Sequence, residues 1–421
     1  MHMRHGWMAA LLVYGVATGT AHAQTGANDL GARLMQDAAV RAAVEAAKAD
    51  EAQTIEDQVR VCEVPAPPFK EAERAKLVAG MFRDIGLANV RIDNVGNVLG
   101  DRPGAAERPR LVFAGHLDTV FPEGTNVKTT REGTVIKGPG IGDDCRGLAV
   151  VLAVARVMNT AHVQTPGTIT FVANVGEEGL GDLRGVKYLF NDSMKGQIDR
   201  FVSVDGTGLG ITHIAVGSFR YKVTYKGPGG HSYGAFGLAN PIHALGRAIA
   251  KISDFQVPRE PKTTFNVGRI GGGTSVNSIA FEAWMEVDMR SADPASLQSV
   301  DANFNKAVEQ ALVEENERWN NSGRLTMDKQ VVGTRPAGRT AADAAIVQAA
   351  VSATKALNLP VTLDEGSTDS NIPMSLGIPA ITIDGGGRGM GAHSLGEAFD
   401  STDSWKGTER AVLIAIALAQ K

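Results

Sequence analysis

Short runs of consecutive apolar residues, separated by stretches with helical character, constrain the fold of this chain most strongly. The runs cover residues 111–114, 168–175, 201–204 and 379–383. A strand with apolar residues at successive positions is buried on both faces, which is typical of parallel strands covered by helices. A longer apolar run over residues 147–158 predicts a helix between the first two strands. The sequence therefore predicts an α/β fold with a mostly parallel sheet and helices on both faces.

Between residues 214 and 331 the pattern changes to strands with alternating polar and apolar residues. Strands are predicted over residues 214–225, 263–270, 279–289 and 324–331, and helices over residues 241–253 and 294–320. Pro241 and Pro294 support the two helix starts, because the first helical turn tolerates a missing N–H. The order β-α-β-β-α-β is that of a ferredoxin-like α+β unit. This inserted unit, residues 214–331, divides the predicted α/β domain into residues 24–213 and 332–421.

Helices are also predicted near both ends of the chain. Residues 29–60 are rich in alanine, and residues 71–85 repeat the pattern after a proline-rich break, so two surface helices are expected to open the mature protein. Residues 411–419 form an apolar run that is much shorter than the roughly 20 residues of a membrane span. This run predicts a C-terminal helix packed on the core.

Residues 1–23 have the pattern of a secretory signal peptide. Arg4 precedes an apolar stretch over residues 7–16, and residues 21–23 read Ala-His-Ala, the form of a cleavage site. A membrane anchor is the alternative, but the apolar stretch is too short to span a bilayer. We therefore expect a periplasmic or secreted protein that starts at Gln24 and no longer contacts the membrane.

Charge and cysteine content argue against two classes of protein. The chain has 42 Lys and Arg residues against 46 Asp and Glu residues, a net charge of −4, and no basic run, which argues against a nucleic-acid partner. Cys62 and Cys145 are the only cysteines, so the chain is not a disulfide-stapled scaffold. We expect both to be free, buried thiols.

The residues that directly follow the predicted strands are mostly acidic or histidine. Functional groups gather beyond the carboxyl ends of the strands in an open parallel sheet. The candidates are His116 and Asp118 after the first strand, Glu177 and Glu178 after the second, Asp205 after the third, Asp143 and Asp144 after a glycine-rich loop, and His393 near the C terminus. Each motif alone is weak, because such pairs are more often structural. Together they would repel one another unless a cation lay among them.

A metal site is therefore the interpretation that explains the whole set. Imidazole and carboxylate ligands favour zinc, with cobalt or manganese as alternatives. The acidic groups outnumber the ligands that one ion requires, which indicates two ions about 3.5–4 Å apart. One spare carboxylate would then serve as a base.

These motifs resemble the family of co-catalytic zinc peptidases that includes peptidase T, carboxypeptidase G, aminoacylase and the carnosinase-like dipeptidases. The likeness runs from Cys62 to the C-terminal helix. It implies two zinc ions per subunit, with His116 and Asp205 on one ion, Glu178 and His393 on the other, and Asp143 on both. It also implies that the Asp118 carboxylate orients His116 and that the peptide bond between Asp143 and Asp144 is cis.

The same resemblance implies roles in catalysis for two further residues. Glu177 would act as general base and acid, taking a proton from the attacking water and passing it to the leaving amine. The inserted unit resembles the family's dimerisation domain, and Gly-Gly-His-Ser at residues 229–232 matches its histidine motif. His231 would therefore stabilise the oxyanion in the active site of a partner subunit. A homodimer is implied.

Other matches concern the substrate. Asn277, Arg290 and Arg335 match positions that bind polar groups of the substrate in the carboxypeptidase G branch; a turn, a strand-end salt bridge and a linker arginine are the structural alternatives. Residues 365–369 resemble the family's substrate-facing Gly-x-Thr-Asp segment, with a simple turn as the alternative. Where the family usually has lysine shortly after the Asp pair, this chain has Cys145, either an adventitious ligand or a packed small side chain.

The resemblance implies a metallopeptidase that hydrolyses amide bonds of short peptides, and the signal-peptide pattern implies that it is exported. Members that act on a free amino end tend to have Asp at the position of Asp205, so aminopeptidase-like or dipeptidase-like cleavage is expected. A carboxypeptidase or an N-acyl amino acid deacylase is the alternative, because the same chemistry serves all of them. A periplasmic binding protein for metal or peptide is a more distant alternative, and Glu177 argues against it because binding alone needs no base.

Overall fold

The structure is a computed structural model that describes residues 29–420. The predicted signal peptide, residues 1–23, lies outside the described residues. Within residues 29–420, no helix is both long and apolar enough to cross a membrane.

The chain alternates helices and strands along most of its length. The helices are α1 (Leu30–Leu34), α2 (Ala38–Ala49), α3 (Glu51–Cys62), α4 (Ala72–Ile85), α5 (Cys145–Thr160), α6 (Arg184–Tyr188), α7 (Pro241–Ser253), α8 (Pro294–Arg318), α9 (Ala345–Ala356), α10 (Asn371–Ser375) and α11 (Trp405–Leu418). The strands are β1 (Ala88–Ile92), β2 (Val98–Arg102), β3 (Arg110–His116), β4 (Thr130–Glu132), β5 (Val135–Lys137), β6 (Thr168–Asn174), β7 (Arg200–Val204), β8 (Gly210–Ala215), β9 (Gly217–Lys226), β10 (Gly230–His231), β11 (Thr263–Gly272), β12 (Ser278–Ile279), β13 (Glu282–Ser291), β14 (Thr326–Arg335), β15 (Gly338–Arg339), β16 (Thr362–Gly366), β17 (Ala380–Ile383), β18 (Arg388–Met390) and β19 (Ala398–Asp400).

The N-terminal segment is divided into α1, α2 and α3 rather than forming the one helix predicted over residues 29–60. After α1 ends, the Asp37 carboxylate accepts hydrogen bonds from the N–H groups of Ala39 and Val40 and caps α2. α3 begins directly after Asp50. An aspartate side chain that satisfies free N–H groups starts a new helix. The prediction of two surface helices is wrong, because aspartate residues start the new helices here and no glycine or proline marks the breaks.

The largest sheet has the strand order β1-β2-β6-β3-β7-β17-β8-β15, with β16 paired to β8. β6, β3, β7 and β17 are parallel at its centre. β1, β2 and β15 join antiparallel, and β8 is antiparallel to β17 but parallel to β16. The α/β class is confirmed, and the predicted parallel arrangement holds at the centre of a mixed sheet.

Helices cover both faces of this sheet. Leu111 and Phe113 of β3 belong to the core that includes α2, α5 and α11, whereas Val112 and Ala114 pack in a separate cluster that includes Val186 of α6. Successive residues of one strand are thus buried on opposite faces, as the continuous apolar run predicts. α11 is buried along its apolar stretch, which confirms the predicted core-packed helix.

The inserted unit forms a four-stranded antiparallel sheet with the order β11-β13-β9-β14. α7 and α8 pack on one face and bury alternate residues of β13. Proline occupies the first turn of both helices, as predicted. The edges of the unit differ from residues 214 and 331: β8, which contains Ile214, belongs to the large sheet, and β14 continues to Arg335. Alternation along residues 214–225 concealed the change of sheet at Val216.

The carboxyl ends of β3, β6, β7 and β17 lie side by side. His116 is the last residue of β3, Glu177 follows β6, and Asp205 follows β7. Two other candidate residues lie in the connections of a smaller sheet with the order β18-β19-β5-β4: Asp143 follows β5, and His393 lies between β18 and β19. The candidate residues thus lie at the carboxyl ends of the central strands or in the connections of this smaller sheet.

Candidate metal centre

Asp143 lies at the centre of a cluster of imidazoles and carboxylates. Its Oδ1 is 3.1 Å from His116 Nε2, and its Oδ2 is 3.0 Å from His393 Nε2. Glu178 Oε1 is 2.9 Å from the same His393 nitrogen. Asp205, His116 and Asp143 offer ligand atoms within 4.8 Å of one another, as do Asp143, Glu178 and His393. Two triads that share one carboxylate fit a pair of ions bridged by Asp143.

His116 is oriented by the main chain of Asp118. Its Nδ1 lies 3.0 Å from the Asp118 carbonyl oxygen, which can only accept, so Nδ1 donates, and Nε2, which faces Asp143, is the nitrogen that would bind a cation. The Asp118 carboxylate lies 3.7 Å from the same Nδ1, and it also accepts hydrogen bonds of 2.9 Å from the N–H groups of Glu177 and Glu178. This carboxylate therefore contacts His116 and holds the loop that bears the two glutamates, and its orienting role for His116 stays a prediction.

The loop that delivers Asp143 is held by two other buried carboxylates. Asp144 accepts from the N–H groups of His116 and Gly147, which ties β3 to the start of α5. The Asp143–Asp144 peptide bond is cis, as the resemblance implies. Glu397, which sequence reasoning missed, accepts three N–H groups of the glycine-rich loop, from Gly140, Gly142 and Asp143. Its position four residues after His393 was the available signal.

The electrostatics of the cluster fit a cation. Burial raises the pKa of Asp205, and the neighbouring Asp143 raises it further. Burial acts to raise the pKa of Asp143 as well, but hydrogen bonds from His116 and His393 outweigh it and bring the pKa below its ordinary value. Bonds to Asp143 and Glu178 raise the pKa of His393 to about 10. Nitrogen and oxygen donors in this number suit zinc, cobalt or manganese.

Glu177 stands beside the cluster with its carboxylate buried. Its carboxylate, Glu178 and His116 offer atoms within 4.8 Å of one another. Arg335 Nη1 donates to Glu177 Oε1 at 2.8 Å, and Arg335 Nη2 donates to the Glu177 carbonyl oxygen. Burial raises the pKa of Glu177, and Arg335 opposes that shift. Arg335 was predicted to bind substrate, but in this structure its guanidinium is bonded to the candidate base.

A cavity of about 610 Å³ opens over the cluster. Arg290, predicted to bind substrate, lines it together with Arg220, which sequence reasoning missed. Both donate to the carboxylate of Asp288, Arg290 Nε at 2.7 Å and Arg220 Nε at 2.9 Å. Arg220 is one polar residue of an alternating strand, so the sequence offered no distinct signal for it. The cavity has the size of a small-molecule or short-peptide site.

His231 and Asn277 lie together on the inserted unit, outside the residues that line this cavity. Both are exposed, and the Asn277 carbonyl accepts the N–H of Ser232. His231 Nδ1 accepts from the N–H groups of Tyr233 and Gly234 at 3.2 Å each, which leaves the Nε2 proton directed away from the loop. One subunit does not bring either residue to the cluster, and their action across an interface stays a prediction.

The segment over residues 365–369 is both a turn and a cavity wall. Ser367 and Thr368 line the cavity, and the Thr368 N–H donates to the Asn371 side chain. Asp369 is buried and accepts from Asn174 Nδ2 at 2.6 Å; burial raises its pKa to about 6.

Cys145 is packed rather than directed at the cluster. It lies in an apolar group that includes Ile136, Phe399 and the second cysteine, Cys62. Both cysteines are free and buried, as expected.

Sequence comparison relates the chain to known hydrolases. The profile of peptidase family M20/M25/M40 matches residues 112–417. The chain is 25% identical to the uncharacterised protein YqjE of Bacillus subtilis, over 79% of this chain and 90% of that protein. It is 25% identical to succinyl-diaminopimelate desuccinylase of Corynebacterium glutamicum, over 60% and 68% of the two chains. It is 25% identical to the cytosol non-specific dipeptidase of Escherichia coli, over 61% and 57%.

Solved structures share the fold at lower identity. Aminopeptidase PepT from Bacillus cereus superposes with a TM-score of 0.69 at 23% identity, over 88% of this chain and 99% of that chain. The YXEP protein of B. subtilis, described as a dinuclear metal binding peptidase, superposes with a TM-score of 0.64 at 17% identity, over 88% and 98%. These likenesses concern the fold.

Proposed function

Because the chain belongs to peptidase family M20/M25/M40, we propose that it hydrolyses amide bonds of short peptides with two divalent ions, zinc by preference. The observation that supports this most is Asp143, whose two oxygens face different imidazoles. His116 and Asp205 would hold one ion, Glu178 and His393 the other, and Asp143 both. The description of the B. subtilis YXEP protein as dinuclear supports the same number of ions.

The residues around the cluster have separate tasks in this proposal. Bound ions would polarise the substrate carbonyl and make water more acidic. Glu177 accepts the proton of the attacking water and passes it to the leaving amine. His231 of a partner subunit donates a hydrogen bond from its Nε2–H to the developing oxyanion, and the hydrogen bonds accepted by its Nδ1 favour that tautomer.

We propose that the substrate has a free α-amino group. Asp205 is one methylene shorter than glutamate and leaves room for an amine near the ions. Arg290, whose exposed side chain pairs with Asp288, would take a carboxylate further along the substrate, because a guanidinium suits a planar carboxylate. The likeness to a dipeptidase of E. coli supports this direction.

An N-acyl amino acid deacylase or a carboxypeptidase G-like enzyme is the second candidate. Arg220 and Arg290 on either side of Asp288 could take a carboxylate of an acyl group as well as that of a peptide. The likeness to a succinyl-diaminopimelate desuccinylase supports a deacylase.

The test of direction is a pair of rates on one dipeptide, with its amino end free and then acetylated. We expect acetylation to remove most of kcat/KM, because the blocked nitrogen loses its charge and gains bulk. If the acetylated peptide or a succinylated amino acid is the better substrate, the proposed aminopeptidase function is wrong and the deacylase function is supported.

Metal content tests the cluster directly. We expect two divalent ions per chain by elemental analysis, and complete loss of hydrolysis on strong chelation with recovery on adding zinc, cobalt or manganese. Full activity with one ion per chain would contradict the dinuclear proposal.

We also propose export through cleavage after Ala23. The charged start, the apolar stretch and the Ala-His-Ala site support it. The intact mass of protein from a periplasmic extract should correspond to a chain starting at Gln24. An uncleaved chain confined to the cytosol would contradict export.

A further inference from the structure

Arg335 lies at the point where the inserted unit rejoins the α/β domain. It is the last residue of β14, and it pairs with Ser218 near the start of β9. Its side chain is 5% exposed, and that of its partner Glu177 is 6% exposed. One arm of the guanidinium holds the Glu177 carboxylate at 2.8 Å and the other holds the main-chain oxygen of the same residue. The base is thus fixed at two points by one side chain.

Neighbouring contacts fasten the same loop to the inserted unit. We call residues 177–182 the base loop. The Thr334 N–H donates to Asp182 Oδ1 at 2.8 Å, and Lys187 Nζ bonds both Asp182 Oδ2 at 2.6 Å and the Thr334 carbonyl at 3.0 Å. From β9, Arg220 Nη1 donates to the Gly179 carbonyl at 3.1 Å. Both strands that connect the inserted unit to the α/β domain therefore hold the base loop.

Arg335 differs from Arg290 in a way that separates their tasks. The Arg290 side chain is 41% exposed in the cavity and contacts Asp288, so a substrate carboxylate can reach it. A substrate carboxylate could occupy the bonding arms of Arg335 only by displacing a buried ion pair, and breaking such a pair leaves an uncompensated charge. Arg335 Nε is buried without a hydrogen-bond partner among residues 29–420, so a substrate that bonds to this nitrogen is the competing outcome of the kinetic test.

We propose that Arg335 is a positioning residue for Glu177, and that it transmits the orientation of the inserted unit to the base; this rests on the base role proposed for Glu177. The fork of donors fixes the carboxylate and the main chain together, so the base keeps one direction relative to the cluster. A rotation of the inserted unit moves β14, and with it Arg335 and the base loop. The rate of proton transfer by Glu177 then depends on the orientation of the inserted unit relative to the α/β domain.

Kinetics separate positioning from substrate binding. Arg335→Met and the matched Arg290→Met are compared with the unmodified, metal-loaded enzyme on one short peptide with a free amino end. We expect Arg335→Met to lower kcat by about tenfold to hundredfold with KM within about twofold. Arg290→Met should raise KM instead. Arg335→Lys should recover part of kcat, because it keeps the charge and loses the fork. A rise in KM with kcat retained in Arg335→Met would overturn the proposal.

A stability cycle tests the pairing without any activity. Arg335→Met leaves the Glu177 carboxylate buried and unpaired, so the Tm should fall by several degrees. Glu177→Gln in that background removes the stranded charge and should recover most of the loss. Additive shifts in the double variant would mean that the two residues are not coupled and would overturn the proposal. Because the cycle requires no turnover, it stays decisive if the proposed peptidase activity is absent.

Asp182→Ala tests transmission through the inserted unit. It removes the contacts to Thr334 and Lys187 and leaves Arg335 and Glu177 unaltered. We expect kcat to fall by about threefold or more with KM unchanged. The control is Asp328→Ala, which removes an exposed acid on β14, the strand that bears Thr334, and should behave as the unmodified enzyme. Equal kinetics for the two variants would contradict the coupling.

Discussion

At the scale of single residues, adjacent carboxylates have different surroundings. Glu178 contacts His393 directly, whereas Glu177 contacts Arg335 and faces the cluster without a bond to either imidazole among the contacts of the described residues. A ligand and a base need this difference, because a ligand gives its lone pair to an ion and a base must exchange a proton. The two adjacent glutamates predicted from the sequence are thus suited to different roles, because their side chains contact different partners.

Glu177→Gln should separate catalysis from metal binding. The amide keeps the size and a hydrogen bond from Arg335 but cannot accept a proton, so kcat should fall by about 10²–10⁴-fold. Elemental analysis should still give the metal content of the unmodified protein. Loss of metal from this variant would make Glu177 a ligand.

Asp118 offers a test of the loop that bears both glutamates. Asp118→Ala leaves the N–H groups of Glu177 and Glu178 without their acceptor, so the affinity for metal should fall by about 10–100-fold in competition with a chelator. Asp118→Asn keeps one carbonyl acceptor, so its affinity for metal should lie between those of the unmodified protein and Asp118→Ala. Unchanged affinity in both variants would show that the Asp118 carboxylate is not needed to hold the loop.

At the scale of helices and strands, the apolar runs predicted the central strands well because burial on both faces leaves a direct mark on composition. The ends of the inserted unit were harder to predict. Alternation continues through Val216, where the chain passes from one sheet to the other, and strand periodicity is the same in both. Position after a strand located His116, Glu177, Glu178 and Asp205. Arg220 and Glu397 were missed, because their roles depend on contacts with residues distant in the chain.

The contact between α11 and α2 predicts a stability that depends on pH. Burial raises the pKa of the half-buried Glu409 to about 7, Glu45 adds to the rise, and Lys48 and Lys406 oppose it. The folded pKa is above the unfolded value, so stability is lost as the pH rises from the unfolded pKa to about 7; the loss is complete above that pH and absent below the unfolded pKa.

Glu409→Gln should therefore raise the free energy of unfolding at about pH 8, by about 1 kcal/mol after allowing for solvent screening, and leave it unchanged near pH 4.5. Urea unfolding at the two pH values measures this difference. Glu56→Gln, an exposed change on α3, is the control and should have no effect at either pH. An equal gain at both pH values would mean that packing, not charge, is responsible.

At the scale of the whole molecule, the inserted unit exposes several large apolar side chains. Large apolar side chains are exposed on it at Val276, Tyr233, Phe236 and Ile270. β11 is an edge strand of its sheet. Exposed apolar side chains beside a free strand edge favour a protein partner, and the resemblance implies a second copy of this chain.

A complementation experiment tests the predicted dimer. His231→Ala and Glu177→Gln should each be nearly inactive. Mixed subunits should regain part of the activity, because one active site then receives its histidine and its base from different chains. No recovery under conditions where mass spectrometry detects hybrid dimers would contradict action across the interface.

The interruption of the large sheet by the inserted unit also determines the order in which the chain can fold during synthesis. β9 to β14 form one continuous stretch and can fold as soon as it has emerged. β17 lies between β7 and β8, so the centre of the large sheet has a gap until the ribosome has passed residue 383. His393 follows still later. A nascent chain therefore completes its metal cluster last, with His393, after the inserted unit has already emerged.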